Sequence, residues 1–114
     1  MTDGAAPRLP THLWVEAEIR RLGTLGHPVY VIAKGDLAGG LVLQKISDLL
    51  GKSRLLGLER DLNGRLGWVD ALSAGGPIPE QEADAYIARA RQRDPDLWVI
   101  EIEDRALSAR LELY

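Results

Sequence analysis

Apolar residues recur at helical spacing in two stretches of the chain, residues 13–22 and 79–93. In the first stretch Thr11 suits an N-cap, and the glycines that follow Leu22 suit a helix end. Residues 13–19 also alternate between apolar and polar types, as a strand would, but the helical spacing continues to Leu22 and favours a helix. The second stretch carries one apolar stripe, which consists of Ala83, Tyr86, Ile87 and Ala90.

Strand-forming residues occupy the chain between these helices and after the second one. Residues 29–34 and 41–46 flank the glycine-rich connection 35–40, which predicts a hairpin. Both runs are apolar on both alternating faces at their centres, so we expect both strands inside the sheet and not at its edge. Pro95 forces the chain out of helical conformation, and residues 97–103 predict the last strand.

A second hairpin is predicted around Asn63 and Gly64, because a two-residue type I′ turn needs positive φ at both central positions. This turn would place Glu59 opposite Trp68. In the absence of a bulge, Trp68 then lies on the more polar face of the hairpin. It is there either a core residue that a helix or tail covers, or an exposed aromatic anchor of the kind enriched at interfaces.

The elements follow the order α-β-β-β-β-α-β. This order predicts an α+β domain with a mainly antiparallel sheet of about five strands and two helices on one face. We expect residues 1–10 to form a disordered tail, residues 11–106 a single domain, and residues 107–114 a C-terminal extension.

Composition narrows the function classes. The chain has 114 residues, a formal net charge of −3 and no cysteine. The acidic net charge argues against a nucleic-acid partner, and the absence of cysteine excludes thiol chemistry. No apolar run approaches the roughly 20 residues of a membrane span, and the first residues lack a signal-peptide pattern. We expect a cytoplasmic protein with no membrane partner.

The last third of the sequence contains a recognisable group of residues, Ala85-Tyr86 with Arg89 and the segment Arg93–Arg105. The first half contains a second group, Leu13-Trp14-Val15, Arg20-Arg21, Lys34-Gly35-Asp36, Gly39 and Lys45. Together these residues resemble the bacterial domain-of-unknown-function 1491 family, most specifically its end. The resemblance covers most of residues 9–106. It implies a small alphaproteobacterial cytoplasmic protein and supplies no activity.

No residue pattern marks a catalytic centre, a metal site or a cofactor site. Glu101 and Glu103 point to one side of the last strand, where paired carboxylates could serve as acid and base or bind a divalent metal. The simpler interpretation is that they form the solvated side of a strand that buries Trp98, Ile100 and Ile102. The two histidines have no partner at metal-ligand spacing.

Arginines concentrate towards the ends of both helices: Arg20, Arg21, Arg89, Arg91 and Arg93. Cations are favoured there for structural reasons. If both helices lie on one face, these arginines could also form one basic ridge that binds an anion or an acidic partner. Trp68, Arg20, Arg21, Arg89 and Arg93 are therefore the candidate binding residues.

Three functions remain open. The first is a non-enzymatic interaction domain, with a protein partner or a second copy bound at a sheet edge or at Trp68. The second is an active or degenerate restriction-endonuclease-like protein, although the strand holding Lys45 lacks the acidic residue that such nucleases place two positions before the lysine. The third is a binder of a small anion between the glycine-rich connection and the arginines.

Overall fold

A computed structural model describes residues 9–72 and 75–113. Its elements are α1 Thr11–Thr24, β1 Val29–Ala33, β2 Val42–Ser47, β3 Lys52–Arg60, β4 Leu66–Asp70, β5 Ile78–Pro79, α2 Glu80–Arg93 and β6 Trp98–Glu103. The α+β class and the element order are confirmed, with the two-residue β5 as an addition. Most of the predicted tail, residues 1–8, lies outside the described residues.

The sheet has the strand order β1-β6-β2-β3-β4, and β5 pairs with the start of β3. β6 lies between β1 and β2 and runs parallel to β2, whereas the other pairs are antiparallel. The predicted hairpin of β1 with β2 is therefore wrong. β6 buries three consecutive apolar residues, Trp98, Val99 and Ile100, which point to alternate faces, and it takes a position where both its faces are covered. This insertion leaves β1 at the edge of the sheet, not inside it as expected.

The two helices pack on opposite faces of the sheet, which corrects the expectation that both lie on one face. Val42 and Ile46 of β2 belong to the same buried cluster as Trp14 of α1. Leu43 belongs to a second cluster together with Ala83 of α2. Because β2 is buried on both alternating sides, both faces of the sheet must be covered at its centre.

The segment after β6 returns across the face that carries α1. Leu111 is 1% exposed and belongs to the α1-side cluster, and Leu107 and Ala109 pack against that cluster. The backbone N–H of Leu111 donates to Oε1 of Gln44, and the indole N–H of Trp14 donates to the carbonyl oxygen of Glu112. Three residues of the expected extension 107–114, Leu107, Ala109 and Leu111, thus contribute to the core.

The β3–β4 turn differs by one residue from the predicted type I′ turn. Residues 62–64 form a three-residue loop in which Gly64 has φ +81°. Oδ1 of Asp61 accepts hydrogen bonds from the backbone N–H groups of Asn63 and Arg65. The side chain of Asp61 therefore stabilises the longer loop and shifts the register of the whole hairpin.

A shift of one residue moves every side chain of a strand to the other face. Trp68 pairs with Leu58 and not with Glu59, and it packs against the α1-side cluster. Its ring stacks on that of Trp14, with centroids 6.4 Å apart and planes 18° apart. Trp68 is thus a half-buried core residue and not an exposed aromatic anchor.

Candidate functional site

Three features of the molecule bring together side chains that could bind or react. The lysine cluster, Lys45 with Glu80, Asp84 and Glu101, lies between the sheet and α2. The donor cluster, Gln44, Arg54, Trp68 and Arg110, lies on the α1 face under the C-terminal segment. The β1 edge presents Tyr30, Val31 and Ile32.

The lysine cluster joins three elements through one ammonium group. Nζ of Lys45, on β2, lies 2.8 Å from Oδ1 of Asp84 and 3.4 Å from Oε2 of Glu80, both on α2. It also lies 3.4 Å from Oε1 of Glu101 on β6. The side chain of Lys45 is only 4% exposed. A long charged side chain is buried at this depth only when it is paired, so the cluster fixes α2 against the centre of the sheet.

Lys45 keeps its proton at neutral pH. Burial lowers the pKa of Lys45, but the hydrogen bond to Asp84 and the charges of Glu101, Asp84 and Glu80 outweigh burial and raise it above 10.5. A protonated ammonium has no lone pair for nucleophilic attack or for general-base catalysis. The geometry therefore assigns Lys45 a structural role in this arrangement.

Glu101 does not belong to a fully solvated side of β6, because α2 covers that side and the Glu101 side chain is 22% exposed. Within residues 9–72 and 75–113, no group of histidine, aspartate and glutamate side chains is arranged to hold a metal ion. The same part of the chain contains no helix long and apolar enough to cross a membrane.

The donor cluster is centred on an ion pair between neighbouring strands. Nη2 of Arg54, on β3, donates to both carboxylate oxygens of Asp70 at 3.0 and 2.9 Å, and Nε donates to Oδ1 at 3.3 Å. The backbone N–H of Gly75 adds a hydrogen bond to Oδ2. Arg54 and Gly75 thus donate hydrogen bonds to both carboxylate oxygens of Asp70.

Arg110 approaches this pair from the C-terminal segment. Burial lowers the pKa of Arg110, and the charge of Arg54 lowers it further, while Asp70 raises it. Among the described residues, Nη1 of Arg110, Nε1 of Trp68 and Nε2 of Gln44 are buried donors that find no acceptor. The donor cluster thus has two guanidinium groups beside one carboxylate, and three of its buried donors have no acceptor.

The predicted basic ridge does not form, because α1 and α2 lie on opposite faces. Arg20 lies exposed on α1, whereas Arg89 and Arg93 lie exposed on α2. Arg21 is held by Glu18 at 2.9 Å and by Glu112 at 3.0 Å. Arg20 and Arg21 are therefore separated from Arg89 and Arg93 by the sheet, and a binding role for each remains a prediction.

The glycine-rich connection 35–40 is explained by close packing. A Cβ atom on Gly35 or Gly40 would overlap the carbonyl oxygen of Asp96 and press on the ring of Trp98. The indole N–H of Trp98 donates to the carbonyl oxygen of Asp36 at 2.7 Å. An open depression of about 410 Å³ lies nearby, lined in part by Lys34, Arg91 and Asp94. Anion binding there stays a prediction.

Sequence reasoning singled out Glu101 and Trp68 but missed the other members of both clusters. Lys45 did carry a signal, since a lysine in a strand expected inside the sheet must find carboxylate partners. Glu80 and Asp84 are four residues apart on α2, so both side chains lie on the face of the helix that reaches Lys45. Arg110 had no comparable signal, because it lies in a segment without periodicity.

Comparison with known proteins shows the family to which the chain belongs. The family model of DUF1491, a protein family of unknown function, matches residues 9–112. A crystal structure of a DUF1491 family protein from Caulobacter crescentus CB15 is 38% identical, with a TM-score of 0.76 over 86% of this chain and 90% of that one.

Two solution structures agree with this result. An NMR structure of a DUF1491 family protein from Caulobacter crescentus CB15 is 36% identical, with a TM-score of 0.75 over 93% of each chain. A protein from A. tumefaciens is 31% identical, with a TM-score of 0.60 over 86% of this chain and 87% of that one. No curated protein matches the chain. The family match and these three similar structures agree, and the chain belongs to the DUF1491 family.

Proposed function

We propose that this protein is a non-enzymatic interaction domain that self-associates through the outer edge of β1. The observation that carries the proposal is the exposure of three consecutive apolar side chains on an edge strand. Tyr30 is 49% exposed, Val31 41% and Ile32 49%. Among the described residues, β1 pairs with β6 alone, so its other side offers unpaired backbone N–H and C=O groups.

Edge strands of monomeric proteins are usually protected by charged residues or prolines, because unpaired edges recruit other strands. The strand Val29–Ala33 contains neither a charged residue nor a proline. The opposite edge of the sheet, β4, ends in Asp70 and includes Gly67, which weakens a strand. β1 is therefore the edge better suited to strand addition.

A second copy fits this edge because the strand is complementary to itself. In an antiparallel pair with its two-fold axis at Tyr30, Val29 faces Val31 of the second copy and the two Tyr30 residues face each other. Lys34, the nearest charged residue, would face Gly26 and not another lysine. Apolar and aromatic cross-strand pairs stabilise such a ladder, and no like charges oppose each other.

The β-bulge between Val31 and Ala33 limits how far the two strands can pair. The buried area is therefore small, and we expect a weak association with a dissociation constant of roughly micromolar order. A cytoplasmic location is part of this proposal, since the chain contains no cysteine and therefore forms no disulfide that would need an oxidising compartment.

Sedimentation velocity over a concentration series tests the proposal. The wild-type protein should show a concentration-dependent monomer–dimer equilibrium. Tyr30→Lys should abolish it, because the two-fold axis would bring two lysines face to face. The control is Leu50→Lys, which adds the same charge at a 74% exposed leucine in the β2–β3 turn. A wild-type protein that stays monomeric, or a Tyr30→Lys variant that dimerises like wild type, would overturn the proposal.

A further inference from the structure

The open depression of about 410 Å³ lies where the last turns of α2 face the end of the edge strand β1. Its volume falls in the range of small-molecule sites, which is roughly 300–1,000 Å³. All the residues that line it border the same space, so one ligand that filled it would touch both elements. Neither the lysine cluster nor the donor cluster contributes a lining residue.

The floor of the depression is apolar. Ala33, at the end of β1, and Leu97, just before β6, are buried beneath it. Ala88 of α2 and Pro95 of the α2–β6 loop complete the apolar lining. The two alanines have short side chains, which leave room between the helix and the strand. An apolar ligand body that covered this surface would be stabilised by the removal of apolar area from water.

Two cationic side chains from different elements border the same space. Lys34 directly follows β1, and Arg91 lies in the last turn of α2. Among the described residues, neither side chain lies within ion-pair distance of a carboxylate. The preference for cations at a helix C-terminus accounts for Arg91 but not for Lys34, which follows a strand.

The charges around the depression indicate the kind of ligand. Within the described part of the chain, Asp94 is the one carboxylate in the lining. Its Oδ1 accepts the backbone N–H of Asp96 at 3.0 Å, which holds this carboxylate in the turn after α2. Lys34, Arg91 and Asp94 together carry one net positive charge. A ligand with a single negative charge therefore matches the lining better than a cation or a dianion.

We propose that this depression binds a small monocarboxylate with an apolar body. The carboxylate pairs with Lys34 and Arg91, and the body covers Ala33 and Leu97. Arginine presents a planar fork of donors that matches a carboxylate, and lysine adds a point charge. Because these pairs form at an exposed rim, each stabilises the complex only modestly. We expect hexanoate, a simple ligand of this class, to bind with a dissociation constant of roughly millimolar order.

Titration of the ¹⁵N-labelled full chain with hexanoate at constant pH and ionic strength tests the proposal. The backbone amide signals of Ala33, Lys34, Ala88 and Leu97 should shift to saturation. Acetate carries the charge without the body, and hexylammonium carries the body with the opposite charge. Hexyl phosphate carries the body with about −1.5 to −2 charges at pH 7. Each of these three should bind at least roughly threefold more weakly than hexanoate.

Two variants, each with a matched control, locate the site. Ala88→Leu fills the depression without a change of charge and should abolish the saturable shifts. Ala85→Leu adds the same side chain at an exposed position of α2 outside the lining and should leave binding unchanged. Arg91→Gln should weaken hexanoate by roughly threefold or more. Arg105→Gln removes an exposed arginine far from the lining in sequence and should have no effect.

The proposal is overturned if hexanoate moves none of the four amide signals, or if any of the other three probes binds as tightly as hexanoate. It is also overturned if Ala88→Leu or Arg91→Gln binds hexanoate like wild type, or if either control weakens binding as much as its partner variant. Tyr30, Val31 and Ile32 do not line the depression. Titration at protein concentrations where the chain sediments as a monomer therefore keeps this result independent of self-association.

Discussion

Replacement of Lys45 by methionine tests the lysine cluster most severely. Methionine fills a similar volume but carries no charge, so Glu80, Asp84 and Glu101 would face one another without a cation. Removal of one partner from a buried ion pair costs about 3–5 kcal/mol. The three acidic side chains are 37%, 58% and 22% exposed, so water recovers part of this cost. We expect a loss of about 2–3 kcal/mol.

A loss of this size should lower the melting temperature by roughly 8–12 °C for a domain of this length. Thermal and urea unfolding followed by circular dichroism would measure it. Lys52→Met is the matched control, because Lys52 is exposed on β3 and has no ion pair among the described residues. The free energy of unfolding of Lys52→Met should lie within about 0.5 kcal/mol of the wild-type value.

A second substitution identifies the cause of the loss. Glu101 is the least exposed of the three acids, so Lys45→Met/Glu101→Gln should recover about 1 kcal/mol relative to Lys45→Met alone. Alkaline unfolding adds an independent check. A raised pKa means that the stabilisation by Lys45 is complete below pH 10.5 and is lost as the pH rises further. Lys45→Met that unfolds like wild type would refute this account of the cluster.

Two further substitutions test the loops that frame the sheet. Gly35→Ala should destabilise the protein by about 2 kcal/mol, because its Cβ would overlap the backbone of Asp96, whereas Gly39→Ala meets no atom within 4 Å and should have little effect on the urea midpoint. Burial raises the pKa of Asp104, but backbone hydrogen bonds from Ala109, Ala106 and Ser108 outweigh it and hold the pKa below 3.8. The stabilisation by Asp104 is therefore present above pH 3.8 and lost as the pH falls through the lowered pKa, so Asp104→Asn should lose about 1 kcal/mol at neutral pH and show a flatter acid limb in urea unfolding.

Local patterns predicted the elements of this fold but not their neighbours in space. The helical spacing up to Leu22 predicted α1, and the proline at position 95 predicted the end of α2. Both signals depend on residues close together in sequence, and both predictions are confirmed. The insertion of β6 between β1 and β2 depends on contacts between residues more than 50 positions apart. Two consecutive apolar runs suggest a hairpin, and nothing within them indicates that a third strand separates them.

The side chain of Asp61 explains why Trp68 was predicted on the wrong face of the hairpin. The pair Asn63-Gly64 favours a two-residue turn, but the carboxylate of Asp61 accepts two backbone hydrogen bonds and stabilises a three-residue loop. The resulting register moves Trp68 onto Trp14. The donor cluster could not be predicted for a related reason, since it requires Leu111 and Gln44 to meet across 67 positions of sequence.

The central claim, that the β1 edge recognises a second copy of itself, is tested most directly by mixing charge-reversed variants. Tyr30→Lys and Tyr30→Glu should each sediment as monomers, because the two-fold axis opposes like charges in both. An equimolar mixture should form a heterodimer, in which lysine faces glutamate across the paired strands. A mixture that remains monomeric at concentrations where the wild type dimerises would contradict the proposed interface.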